Sequence, residues 1–198
     1  MSPKVVGSIP GGLLVVISGP SGVGKTTICR ALVDRLGAYL SISATTRPPG
    51  QGECNGQDYF FLSQQEFKQK LENSEFLEHA EIFGHLYGTL AKPVMEALGA
   101  GRVVVLEIDV NGAKQIRKRF AQALMFLILP PAPTTLGERL NHRRRDAKDV
   151  IAERLAKADG EIRFARESQC YNYTIVNDDL EKAISQIVTI INQQKEKA

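Results

Sequence analysis

The feature that most constrains this chain is the run Gly19-Pro20-Ser21-Gly22-Val23-Gly24-Lys25-Thr26-Thr27, placed directly after the apolar stretch Leu13-Leu14-Val15-Val16-Ile17-Ser18. It satisfies G-x-x-x-x-G-K-[ST] in a strand-then-helix context, the pattern of a loop that grips a nucleoside triphosphate. Glycines let the backbone curl so that successive N–H groups converge on an anion, which side chains would obstruct. The helix opened by Lys25 and Thr26 points its positive dipole end at the same place. Lys25 is expected on the β- and γ-phosphates and the Thr26 hydroxyl on Mg²⁺. The plain alternative is a glycine turn with a chance lysine. A bound triphosphate says nothing of what is done with it.

The rest of the chain alternates in type. Leu13–Ser18 is expected as a strand and Thr26–Leu36 as a helix with Ile28, Leu32 and Leu36 on one face. Arg102–Ile108 and Ala123–Leu129 are unbroken apolar runs, as in parallel strands covered on both faces, with a crossover helix at Asn111–Arg119. Tyr173–Val176 is a last short strand. Asp178-x-x-Glu181 then forms a capping box before Ile184, Ile187, Val188 and Ile191 at helical spacing. The pattern implies an α/β fold with a mostly parallel sheet, and ligands at the carboxyl ends of its strands.

Two stretches break the alternation. Ser41 to about Leu98 is too long for one crossover; it holds Pro48-Pro49-Gly50, an apolar run at Asp58–Leu62, and a capping box Ser63-x-x-Glu66 opening a helix near Gln64–Leu71. It is expected as an inserted subdomain with its own strands. Arg139–Arg154 is dense in charge and poor in apolar residues, and is expected as a mobile flap. The tail Gln193–Ala198 is expected to fray.

The net charge of +3 is too mild to argue for nucleic acid, and no apolar run approaches the ~20 residues of a membrane helix. Met1 to Pro10 lacks the layout of a signal peptide. Cys29, Cys54 and Cys170 are odd in number, far apart and without metal-ligand spacing, so they are expected as reduced packing residues of a soluble, cytoplasmic protein. His79, His85 and His142 are scattered and carry no catalytic expectation.

Ser43-Ala44-Thr45-Thr46-Arg47-Pro48-Pro49-Gly50-Gln51-Gly52-Glu53, Gly56-Gln57-Asp58-Tyr59, Phe76-Leu77-Glu78-His79-Ala80 and Tyr87-Gly88-Thr89 lie in the insert. With Leu106-Glu107-Ile108-Asp109, Arg139, Arg143, Arg154 and Val176-Asn177-Asp178-Asp179, they make the chain closely resemble guanylate kinase from Leu13 to about Ile191. The resemblance implies a single phosphate-loop, nucleoside-monophosphate-kinase-like domain: a core at about 11–40, 99–138 and 165–194, a GMP-binding insert at about 41–98 and a helical lid at about 139–164. It implies transfer of the ATP γ-phosphoryl group to GMP, and to dGMP, with Mg²⁺, and no nucleic-acid or membrane partner.

By resemblance, Gly19, Pro20, Ser21, Gly22, Val23, Gly24, Lys25, Thr26, Thr27, Arg139 and Asn177 bind ATP, the last two near its base. Arg143 and Arg154 close over the triphosphate and, with Lys25 and Arg47, form the catalytic set. Arg47, Tyr59 and Tyr87 contact the GMP phosphate. An arginine fork can grip phosphate with two N–H bonds, and tyrosines add hydroxyl donors on stiff bodies. In isolation Tyr59, inside an apolar strand, would be a subdomain core residue. Guanine presents N1–H and a 2-amino group, both donors, so a carboxylate accepting from both would discriminate it. The resemblance gives that task to Glu78, with Ser43, Thr89 and Asp109; by type alone, Glu78 would be a solvated helix charge.

Three departures from the family pattern stand out. Gly50 replaces a second arginine, removing a cation from the acceptor side. Glu107 replaces an aspartate at the end of its strand, keeping the carboxylate with one more methylene on the Mg²⁺ side, where it and Thr26 are expected as ligands, directly or through water. Arg144 stands where glycine is common, and neither it nor Arg145 has a role. Two other readings remain open at this point: an inactive guanylate-kinase-like module that binds peptides, and a nucleoside monophosphate kinase with altered acceptor preference.

Overall fold

The computed structural model describes residues 11–132, 160–165 and 167–196. Arg139, His142, Arg143, Arg144, Arg145 and Arg154, and with them the expected flap, lie outside the described residues.

The first sheet orders its strands β2-β7-β1-β8-β9, every adjacent pair parallel. They are β1 (Leu13–Ser18), β2 (Tyr39–Leu40), β7 (Val103–Ile108), β8 (Leu124–Leu129) and β9 (Tyr173–Val176). The unbroken apolar runs have a direct cause, since both faces of this sheet are covered. Val15, Ile17, Val105 and Phe126 pack with Ile28, Leu32, Ile184 and Ile187 on one face. Leu14, Val16, Val104, Leu106 and Met125 pack with Val94, Leu98 and Ile116 on the other. Successive strand residues thus go to opposite cores, each apolar.

Helices α1 (Lys25–Leu36) and α5 (Leu180–Lys195) cover the first face; α3 (Ala91–Gly99) and α4 (Val110–Arg119) cover the second. The cap of α5 lies one residue later than expected. Asp179, not Asp178, accepts the Lys182 N–H at 3.0 Å, and Glu181 instead grips Arg35 of α1 through both carboxylate oxygens, at 2.6 and 2.7 Å. A carboxylate paired across helices cannot reach back to cap its own. The helix also runs to Lys195, further than the expected fray. No described helix is long and apolar enough to cross a membrane.

The second sheet orders β4-β3-β6-β5, from β3 (Ser43–Thr45), β4 (Phe60–Phe61), β5 (Phe76–Ile82) and β6 (His85–Leu90). Its β4 is shorter than the apolar run predicts, and Tyr59 precedes it. Helix α2 (Gln64–Glu72) carries the expected capping box: Glu66 N–H donates to Ser63 Oγ and Ser63 N–H to Glu66 Oε2. It buries Phe67 against this sheet, stacked on Phe76 with ring centroids 4.4 Å apart.

Helix α4 joins the two sheets. Gln115 accepts the His79 N–H at 3.2 Å and donates to the His79 carbonyl at 2.7 Å, while Arg119 donates to the Phe76 carbonyl at 2.7 Å. Cys29 and Cys170 are buried as expected of packing residues; Cys54 is exposed, in the polar loop before β4, where no core reaches it.

Candidate functional site

A cleft of about 940 Å³ opens at the carboxyl end of β1 and runs between the two sheets. One end of it is the glycine loop. Gly19 has φ 147°, Gly22 83° and Gly24 102°, a conformation that side chains disfavour. Gly19 also needs its bare Cα because a Cβ would collide with the Ile128 carbonyl. Gly24 is the N-cap of α1 with no side-chain cap, which leaves first-turn N–H groups of the helix for an anion.

Lys25 Nζ donates to the loop's own carbonyls, Gly19 at 2.7 Å and Pro20 at 3.0 Å. Burial pulls its pKa down, and the Glu107 carboxylate opposes that. Register explains Glu107: β7 pairs Ile17 with Glu107, bringing that side chain beside the end of β1. Thr26 Oγ1 donates to Glu107 Oε1 at 2.7 Å. A hydroxyl and a carboxylate in contact at the mouth of the loop are hard oxygen ligands of the kind Mg²⁺ takes, with most of its shell left to phosphates and water. The extra methylene of Glu107 still reaches Thr26.

Asn177 does not line the cleft. It is buried behind the loop, where Nδ2 donates to the Val23 carbonyl at 2.7 Å and stands against Gly24. That hydrogen bond ties Asn177 to the loop.

The other end of the cleft is built by strand register. Thr89 on β6 stands opposite Ser43 on β3 and opposite Glu78 on β5, so the three form one row across the sheet. A β-bulge between Phe76 and Glu78 decides where Glu78 points. Phe76 pairs with Leu90 and Glu78 with Thr89, adjacent positions whose side chains leave opposite faces. Phe76 therefore joins the aromatic core beneath the sheet while Glu78 turns to the cleft. The solvated-helix reading of Glu78 is overturned: it lies on a strand and is 5% exposed.

Glu78 Oε1 accepts from Thr89 Oγ1 at 2.6 Å. Burial pushes its pKa up to about 7, the Thr89 hydrogen bond pulls the other way, and the charge of Asp109 adds to the rise. Asp109 caps α4, with Oδ1 accepting the Gly112 N–H at 2.7 Å; its Oδ2 is buried without a hydrogen-bond partner among the described residues. Glu78 and Asp109 thus face the cleft as neighbouring acceptors.

Tyr59 and Tyr87 line the same cleft, ring edge to ring face at 6.0 Å. Burial lifts the Tyr59 phenol to about 12, so it remains a donor at neutral pH. Arg47 lies over the Tyr59 ring at 5.4 Å. Its fork is engaged by Glu53 Oε1 at 2.8 Å and the Pro48 carbonyl at 2.8 Å. The second Glu53 oxygen accepts the Gly50 N–H at 2.6 Å. Glu53 has no task in the sequence reading, yet its carboxylate bridges Arg47 to the departure at Gly50. Gly112, a glycine within the first turn of α4, likewise has no task in the sequence reading.

A family model described as guanylate kinase matches residues 12–194. The guanylate kinase of Carboxydothermus hydrogenoformans is 43% identical over 185 residues, covering 93% of this chain and 89% of that protein. That of Synechocystis sp. is 44% identical, covering 93% and 95%. The crystal structure of guanylate kinase from Anaplasma phagocytophilum superposes with a TM-score of 0.73 at 30% identity, over 95% of this chain and 89% of that one. With the glycine loop and the buried carboxylate at two ends of one cleft, and relatives matching across both, the chain belongs to the guanylate kinase family.

Proposed function

We infer that this protein is a guanylate kinase, transferring the γ-phosphoryl group of ATP to the phosphate of GMP, with dGMP as a second acceptor. The observation that carries the reading is the buried Glu78 carboxylate on the cleft that the phosphate loop also lines. A buried acceptor must be matched by donors, and guanine offers two side by side where adenine does not. A site built on such hydrogen bonds can reject the wrong base by ~10⁴-fold.

The loop's N–H groups and the α1 terminus would cradle the ATP phosphates, with Lys25 exchanging its carbonyl partners for phosphate oxygens. Thr26 and Glu107 would hold Mg²⁺, which when bound neutralises charge on the transferring phosphate oxygens. Tyr59 and Tyr87 would donate to the GMP phosphate. Arg47 would join them once its fork leaves Glu53 for the stronger dianion. Ser43, Thr89 and Asp109 would complete the base contacts around Glu78. Arg143 and Arg154 would add positive charge over the triphosphate, with Arg139 and Asn177 toward the adenine side. Catalysis here is positioning and charge neutralisation, so no nucleophilic side chain is required. Three free cysteines fit a cytoplasmic setting. The inactive-module reading gains no support, since Lys25 and Thr26 are present and Thr26 is engaged with Glu107.

The test is ADP formation from ATP with GMP, dGMP, AMP, UMP and CMP in turn. GMP and dGMP are expected to drive turnover, and Lys25→Ala to abolish it. Folded protein that turns over no acceptor would sink the proposal.

A further inference from the structure

We propose that Gly112 is a specificity-determining position: its missing side chain is the seat of the Glu78 carboxylate, so it governs guanine recognition without touching the base. The inference rests on the guanylate kinase reading and extends it to a residue outside the expected site.

Gly112 lies in the first turn of α4, buried, with its N–H donated to the Asp109 cap. Its conformation does not call for glycine, because it is absent from the residues with positive φ. Glycine weakens a helix relative to alanine, so some other demand keeps it there. Space supplies that demand. A Cβ at this position would collide with Glu78 Oε2, stand 3.0 Å from Glu78 Cδ and 3.4 Å from Asp109 Oδ1.

The helix is not placed to yield, and the carboxylate yields only by leaving its hydrogen-bonded position. Glu78 is tied through its other oxygen to Thr89 and held in the β5–β6 ladder. Helix α4 is fastened to β5 by Gln115 and Arg119, which share a helix face with Gly112 at i+3 and i+7. A methyl group at 112 would therefore displace the carboxylate rather than the helix, and Glu78 would meet the base in the wrong place. Gly112 is a positioning residue, acting through Glu78.

The experiment compares wild type, Gly112→Ala, Glu78→Ala and the double variant for kcat and KM with ATP and GMP, with GMP binding by calorimetry and folding by circular dichroism. Gly112→Ala is expected to raise the GMP KM roughly ten- to a hundredfold, the scale of misplaced hydrogen bonds to a charged group, with the ATP KM within about twofold. In the Glu78→Ala background, where no carboxylate fills the space, adding Gly112→Ala is expected to change GMP affinity by less than about twofold. An unchanged GMP KM in Gly112→Ala, or a loss that persists without Glu78, overturns the inference. If Gly112→Ala does not fold, a folded double variant supports it and an unfolded one overturns it. Wild type inactive on GMP would instead refute the functional reading itself.

Discussion

Replacing Glu78 by glutamine should make the ligand-free protein more stable, and more so as pH rises. Burial lifts the Glu78 pKa from the ordinary 4.5 to about 7 in the folded protein. Between those values the folded state holds a proton that the unfolded chain has released, so stability falls as pH rises through the window. Taking those two values, the cost of the ionised carboxylate is about 3 kcal/mol at pH 8 and about 1 kcal/mol at pH 5. Glutamine does not titrate and still offers Thr89 an acceptor, so the gain from Glu78→Gln should be about 2 kcal/mol larger at pH 8 than at pH 5. The chain has no tryptophan, so urea unfolding followed by circular dichroism at the two pH values is the suitable assay. Equal differences between the variants at both pH values would refute the reasoning. The same variant should bind GMP poorly by calorimetry, because it presents an amide donor to a base that offers only donors there. Stability gained where binding is lost is the expected cost of a buried recognition charge.

Two further outcomes follow from the neighbouring geometry. Gly50→Arg should tighten GMP binding several-fold by restoring a second guanidinium to the acceptor phosphate; the new Cβ would lie 3.1 Å from Glu53 Oε2, a flexible carboxylate end that can shift, and unchanged or weaker affinity by calorimetry would count against it. Asp179→Ala should cost about 1 kcal/mol in urea unfolding, the usual effect of losing an N-cap, whereas Asp178→Ala should cost almost nothing.

What was legible in the sequence follows the range of the forces involved. The phosphate loop, the double-faced strands and the Ser63 capping box are local patterns, settled within a few residues of chain, and they lie where the residues predict. At the start of α5 two acids stand side by side, and the choice between them turns on Glu181 pairing with Arg35 of another helix, which no local pattern contains. Glu78 is the sharper case. Its burial depends on a bulge and on the pairing of residues 43, 89 and 78 across three strands, so by residue type it belongs at the surface. Only the family resemblance assigns it a task. Gly112 did leave a trace, a glycine inside a helix with no turn to make, but its reason lies 34 positions away in the chain at Glu78.

The segment Glu107-Ile108-Asp109 meets Thr26 at one end and caps helix α4 at the other. On the proposed function, the carboxylates that would serve metal and base thus stand on Cα atoms two peptide units apart, roughly 7 Å of extended chain. Covalent bonds therefore fix the spacing of these two carboxylates, wherever the second sheet stands. Exchanges on β5 and β6 would accordingly leave the spacing of Glu107 and Asp109 untouched.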